Sequence, residues 1–281
     1  MGATKTADLY EGFADPLLPF PVFLLLILAG PPVAAWVGHR LGLRDLRRGR
    51  YADARPEQIP GGTSLGAMLA LLGLLLGFAF SSALGWREDR QAALVAEAAA
   101  ISTAFLRADL LNEPGRSGLQ RALLRYARSR PITNADVGSR ESFNAYLERT
   151  LSAQAALWPA TLDALDDGTT DPIRAFVAAS VTDVFDAHTR RIAAGAEQVP
   201  PAAKLMLFAA SVVAIFAVGN RSALQGRPLT WRTFAFSGLL SVVTLVIVDL
   251  DASLEGAITL NNDTLAAAIR EMEADLEAPG R

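Results

Sequence analysis

Apolar and polar positions are segregated along this chain. Four blocks are almost wholly apolar: "LLPFPVFLLLILAGPPVAAWV" (residues 17–37), residues 65–86, "AKLMLFAASVVAIFAVG" (203–219) and "TFAFSGLLSVVTLVIV" (233–248). Each, the last two with their flanks, is long enough to cross a hydrocarbon core of about 30 Å as a helix. The second block does not stop at a turn. From Leu65 to Leu111 there is no proline, and at about 1.5 Å per residue such a helix is roughly 70 Å long. It must cross the membrane and continue beyond it. In the first block Pro31 and Pro32 remove two backbone donors, which predicts a kink or break after Gly30.

Residues 87–202 change character. Leu94, Ala98, Ile101 and Phe105 recur at three- and four-residue steps, the spacing of a helix with one buried face. "NEPGRSG" (112–118) ends that helix. A second follows over about 119–130, where Leu123, Leu124 and Tyr126 supply an apolar side. A third runs over about 140–165 with Pro159 bending it. A fourth begins at Asp171-Pro172, a capping residue followed by proline at the first helical position, and carries Phe176, Val177, Val181, Val184, Phe185 and Ile192. Runs of β-branched residues at period two are absent. The pattern therefore predicts an all-α polytopic membrane protein with four transmembrane helices and an extramembranous helical bundle between the second and third. Its parts are a first hairpin (1–86, spans at about 17–37 and 65–86), a bundle continuous with span two (87–202), a second hairpin (203–249) and a polar acidic tail (250–281).

Composition narrows the function. The chain is 51% hydrophobic with a formal charge of -3, and its arginines are spread over helices and short loops, so no nucleic-acid surface is indicated. The absence of cysteine excludes disulfides, thiolate chemistry and Cys-type metal centres. Two histidines, His39 and His188, exclude a His-rich one. Asp8, Glu11 and Asp15 precede the first block, and its basic cluster comes afterwards, so the block reads as a retained span rather than a signal peptide. Arg40, Arg44, Arg47, Arg48, Arg50 and Arg55 lie between spans one and two, and Arg221 and Arg227 between spans three and four. The positive-inside rule places both short loops in the cytoplasm, with the termini and the bundle on the outer side.

No phosphate loop, GxSxG, HExxH or dinucleotide fingerprint is present, so nothing points to an enzyme, and no cofactor is expected beyond a regulatory cation. Span two is more informative. Gly66, Ala70, Gly73, Gly77 and Ser81 form a stripe of small residues where another helix can approach closely. Leu72, Leu76, Phe80 and Leu84 form a bulky stripe at four-residue steps. One reading of the bulky stripe is lipid contact or packing. The other is that symmetric copies point it at a shared axis as an apolar gate. After span two comes "WREDR", with Arg87 and Arg90, and span four ends in "VDLD", with Asp249 and Asp251. Carboxylates at that depth require a partner. The alternatives are an ion pair with an arginine such as Arg87 or Arg90, or a cation site completed by Glu255, Asn262 and Asp263; the spacing is not that of an EF-hand.

"LLGLLLGFAFSSALGWREDRQAALVAEAAAISTAFLRADLLNEP" (71–114) resembles the signature of the bacterial bestrophin-like membrane proteins, and "IVDLDASLEGAITL" (247–260) is similar to that family's second marked stretch. A more distant likeness is to the true bestrophins, pentameric anion channels with four spans in two hairpins and an aromatic-apolar neck on span two. The resemblance implies an oligomeric, pentameric channel in a bacterial inner membrane, with the lipid bilayer and small inorganic ions as partners. It matches Leu76, Phe80 and Leu84 to the neck, with Phe78 as the competing register, and sets the stretch from Asp249 to Glu255 where some bestrophins bind calcium. Two features depart from it. True bestrophins keep their termini and helical region in the cytoplasm, opposite to the arginine pattern here, and the aromatics usual after span two are replaced by "AALVAEAAA".

Overall fold

The computed structural model describes residues 20–49, 61–137, 139–166, 168–251 and 260–278. Among these the regular elements are all helical: α1 (Phe20–Arg47), α2 (Gly62–Arg107) with a 3-10 turn at Ala108–Leu110, α3 (Gly115–Ser129), the short α4 (Asn134–Val137), α5 (Arg140–Leu165), α6 (Asp171–Ala196), α7 (Pro201–Leu224), α8 (Trp231–Asp251) and α9 (Asp263–Glu277). Four stretches are long and apolar enough to cross a membrane, Leu24–Arg47, Gly62–Leu110, Asp171–Leu224 and Trp231–Asp251. The apolar part of the second is the first half of α2, and that of the third is α7. This is an all-α, multi-pass membrane protein.

The chain divides into two units. One contains the described residues of 15–85 and 198–252, the other those of 86–197 and 253–281. In the first, α1 and α7 run side by side and parallel. A Cβ added at Gly30 would meet the Phe208 ring, one at Gly38 the Phe216 carbonyl and Asn220 amide, one at Gly42 Asn220 and Ala223, and one at Gly219 the Ala35 carbonyl. Residue numbers rise together along both helices, and glycine is what lets the two backbones touch. Asn220 Nδ2 also donates to the Gly38 carbonyl at 3.3 Å. Of the kink or break expected after Gly30, the break is absent: α1 is continuous through Pro31-Pro32. α2 joins this unit through Leu72, Leu76 and Ala83, which pack with Ile215 of α7 and Leu240 and Ile247 of α8. The Arg221 guanidinium lies against Gly62 at the start of α2. The C-terminal ends of α1 and α7, and the starts of α2 and α8, therefore gather at one end of the unit.

The second unit is built on the rest of α2. Leu94, Ile101 and Phe105 bury against Leu119 and Leu123 of α3, Leu157 of α5, and Val177, Val181 and Val184 of α6. At about 1.5–3 kcal/mol per buried aliphatic or aromatic side chain, these contacts are the main gain holding the bundle together. Ser139 caps α5 by accepting from the Ser142 amide at 3.1 Å. α6 starts one residue earlier than its sequence suggests, with Thr170 at the cap and Asp171 inside the helix. The segment expected to be an acidic tail instead holds α9. Its Leu265, Ala268 and Met272 are buried on a stripe at three- and four-residue steps, and its acidic residues face outward, where Glu273 receives Arg128 at 2.6 Å.

Candidate functional site

α2 presents a face that its own subunit leaves uncovered. Gly66, Ala70, Gly73, Gly77 and Ser81 are all exposed, and among the described residues nothing lies within 4 Å of a Cβ placed at Gly66, Gly73 or Gly77. The stripe of small residues is thus open, and the close helix approach inside the subunit is made by α1 and α7. The bulky stripe divides. Leu72 and Leu76 are buried in the subunit's own core, whereas Phe80 is 40% and Leu84 37% exposed, and Phe78 is 63% exposed. Four-residue steps overshoot a helical turn by about 40°, so over three steps the stripe rotates by about 120°. A row that begins in the core at Leu72 has therefore left it by Leu84, and Leu76 stays inside.

At the acidic end of α8, Asp251 forms an ion pair with a lysine. Asp251 is fully buried, accepts from the Val199 amide at 2.7 Å and pairs with Lys204 Nζ at 2.5 Å, tying the end of α8 to the start of α7. Asp249 is also buried, and Glu255 lies outside the described residues. Among the described residues no group of three or more His, Asp or Glu side chains is placed to hold a metal. Arg90 is buried and its Nη1 donates to the Glu197 carbonyl at 3.1 Å; Arg87 is half-buried.

A second polar centre, which no motif announced, lies inside the helical unit. Glu97 of α2 is completely buried. Arg130 Nε approaches its Oε1 at 2.8 Å, Arg191 Nη1 donates to Oε2 at 2.6 Å, and Tyr126 Oη donates to Oε1 at 2.7 Å. His188 Nδ1 lies 3.0 Å from Tyr126 Oη and 3.5 Å from Glu97 Oε1. The tyrosine proton is committed to the carboxylate, so Nδ1 is the protonated nitrogen, donating to the tyrosine oxygen. Arg191 Nη2 and Tyr146 Oη both donate to the Arg130 carbonyl at 3.3 Å. Three helices, α2, α3 and α6, are thereby joined through one carboxylate.

Burial alone would raise the Glu97 carboxyl, but Arg130 beside it, the neighbouring His188, and the charge and hydrogen bond of Arg191 outweigh this and hold it well below the ordinary 4.5. Burial pushes His188 below 6.5 despite its contact with Glu97, and burial lifts the Tyr126 phenol well above 10.0. Both acid-side shifts act in the same direction. Below about pH 6.5 the unfolded chain takes up the His188 proton before the folded one does, and below about pH 4.5 it does so at Glu97. Stability of the helical unit is therefore expected to be greatest above pH 6.5 and to fall in two stages on acidification. Thermal unfolding followed from pH 8 to pH 4 checks this, and His188→Gln should remove the upper stage while leaving the lower.

A profile of the Bestrophin-like domain matches residues 29–265, which runs from within α1 to the start of α9. The chain belongs to the Bestrophin-like family. Among solved structures, this Bestrophin-like protein is similar to a crystal structure of a bacterial bestrophin homologue from Klebsiella pneumoniae, solved as a tyrosine-to-alanine point variant. Identity is 14% over 90% of this chain and 98% of the other, with a TM-score of 0.60, which shows a shared fold. No curated protein matches the chain.

Proposed function

We propose that this Bestrophin-like protein assembles as a ring, pentameric by analogy with the channels its sequence resembles, and conducts small inorganic ions, anions first, along α2. The observation that carries this is the uncovered face of α2: a helix of spanning length leaves a stripe of small residues and the side chains Phe78, Phe80 and Leu84 without cover from its own subunit. In a ring the small stripe seats a neighbouring subunit and Phe80 and Leu84 line the axis, where apolar side chains gate by dewetting. The proposed activity is passive and involves no catalytic group or cofactor. The arginine-bearing short loops face the cytoplasm of the inner membrane, and the bundle lies on the outer side.

A second reading is favoured by the same open stripe: a non-conducting scaffold or sensor in which Gly66, Gly73 and Gly77 serve only to pair helices and the bundle binds a partner. Purified protein in a planar bilayer with asymmetric KCl separates the two. The channel reading expects unitary currents with a chloride-weighted reversal potential, and more frequent opening in Phe80→Ala and Leu84→Ala. Leu76→Ala should alter stability rather than gating, because Leu76 is buried within the subunit. Silence from folded, inserted protein would favour the scaffold.

A further inference from the structure

The arginine-bearing end of the membrane unit has a feature that conduction does not require. Residues 40–57 carry six arginines against three acidic residues, and residues 220–232 carry three arginines and no acid. In the structure residues 40–49 and 220–232 lie at one end, because α1 and α7 are parallel and Arg221 lies against the first residue of α2. Arg221 is packed there, but Arg40, Arg44, Arg47, Arg48, Arg227 and Arg232 are exposed. Two of them are held on tryptophan. The Arg40 guanidinium carbon lies 4.7 Å from the centre of the Trp36 ring, and that of Arg232 lies 6.0 Å from the Trp231 ring.

Both tryptophans are themselves exposed, Trp36 by 50% and Trp231 by 75%. Each adjoins exposed apolar side chains of a spanning helix, Val33 beside Trp36, and Phe234 and Leu239 following Trp231. Such an order, apolar, then indole, then guanidinium, matches the layers of a lipid from acyl chain to headgroup. An arginine stacked on an indole keeps its N–H edges free and flat, the geometry that accepts two phosphate oxygens at once.

We infer that this end of the membrane unit is a docking surface for anionic phospholipid, with Arg40 and Arg232, each beside an exposed tryptophan, among the groups that bind the headgroup phosphate. A free phosphate would use the charge but not the apolar side chains beside it. An acidic protein would have to reach arginines that lie at the edge of the lipid-facing surface. Anionic lipid uses both.

The test uses the full chain in neutral detergent, with bound lipid counted by native mass spectrometry. Dioctanoyl-phosphatidylglycerol is compared with dioctanoyl-phosphatidylcholine and with glycerol phosphate. Phosphatidylglycerol is expected to bind in preference to both, with affinity falling as salt rises. At roughly fivefold per arginine near a headgroup, Arg40→Gln with Arg232→Gln should weaken it by about 30-fold and leave phosphatidylcholine unchanged. Equal binding of the two lipids, insensitivity to salt, or unchanged affinity in the double variant would each overturn the assignment, and glycerol phosphate binding as well as the lipid would move the site to a free anion. The salt titration uses the unaltered protein, so the inference stays testable even where the variant fails to fold.

Discussion

Replacing Glu97 with alanine is expected to destabilise the helical unit by about 3–5 kcal/mol, the cost of leaving a buried charge without its partner. Arg130 is 1% and Arg191 11% exposed at the side chain, so neither can turn fully to water once the carboxylate is gone. Tyr126 and His188 lose the acceptor that orders them. The same replacement made beside Arg130→Met should cost much less than the sum of the two single changes, because the second change removes the charge that the first strands. Unfolding midpoints for the two single variants and the double variant measure this directly. If Glu97→Ala were as mild as an exposed substitution, within about 0.5 kcal/mol, the carboxylate would not be the joint between α2, α3 and α6 described above. The consequence extends past stability. Glu97 stands on the helix proposed to line the pore, so hydrogen exchange in α3 and α6 should rise together with loss of order in the later part of α2.

The long reach of α2 was legible because its composition changes from apolar to amphipathic with no breaking residue between Leu65 and Leu111. The extent of α6 followed from a stripe at helical spacing and from the proline near its start. Pro31-Pro32 do not break α1, because proline penalises a helix locally while tight packing of α1 on α7 acts over the whole length. α9 was hidden by its acid content, although Leu265, Ala268 and Met272 carry the spacing of a buried face. The Glu97 centre was harder to see. Tyr126 and the capping Arg130 are four apart at the end of α3, and His188 and Arg191 three apart on α6, but such pairs normally lie on solvated surfaces. Only the fold brings both to the one carboxylate in "VAEAAA". The small residues of α2 are more numerous and drew attention there, while "GHRLG", with Gly38 and Gly42 four apart, already held the spacing that α1 uses against α7.

That distinction makes the second large prediction. Gly38→Leu is expected to abolish the folded membrane unit, at a cost of at least about 3 kcal/mol, because even the first added carbon would overlap the Phe216 carbonyl. A side chain in the way can change rotamer, but a carbonyl in a helix cannot move without breaking its own hydrogen bond. Gly219→Leu should fail in the same manner against Ala35. Gly73→Leu and Gly77→Leu add the same atoms where the subunit has nothing within 4 Å, and should leave a single subunit folded, even with a slight gain in helix propensity. What they should change is assembly. If the open stripe seats a neighbour, these variants will run as smaller species in mild detergent while keeping their helix content. If they assemble as the unaltered protein does, the stripe faces lipid or the axis instead, and the ring must be held by another surface of the spans or by the helical unit. The four glycines thus separate what folds the subunit from what joins subunits: Gly38 and Gly219 serve the first, Gly73 and Gly77 the second.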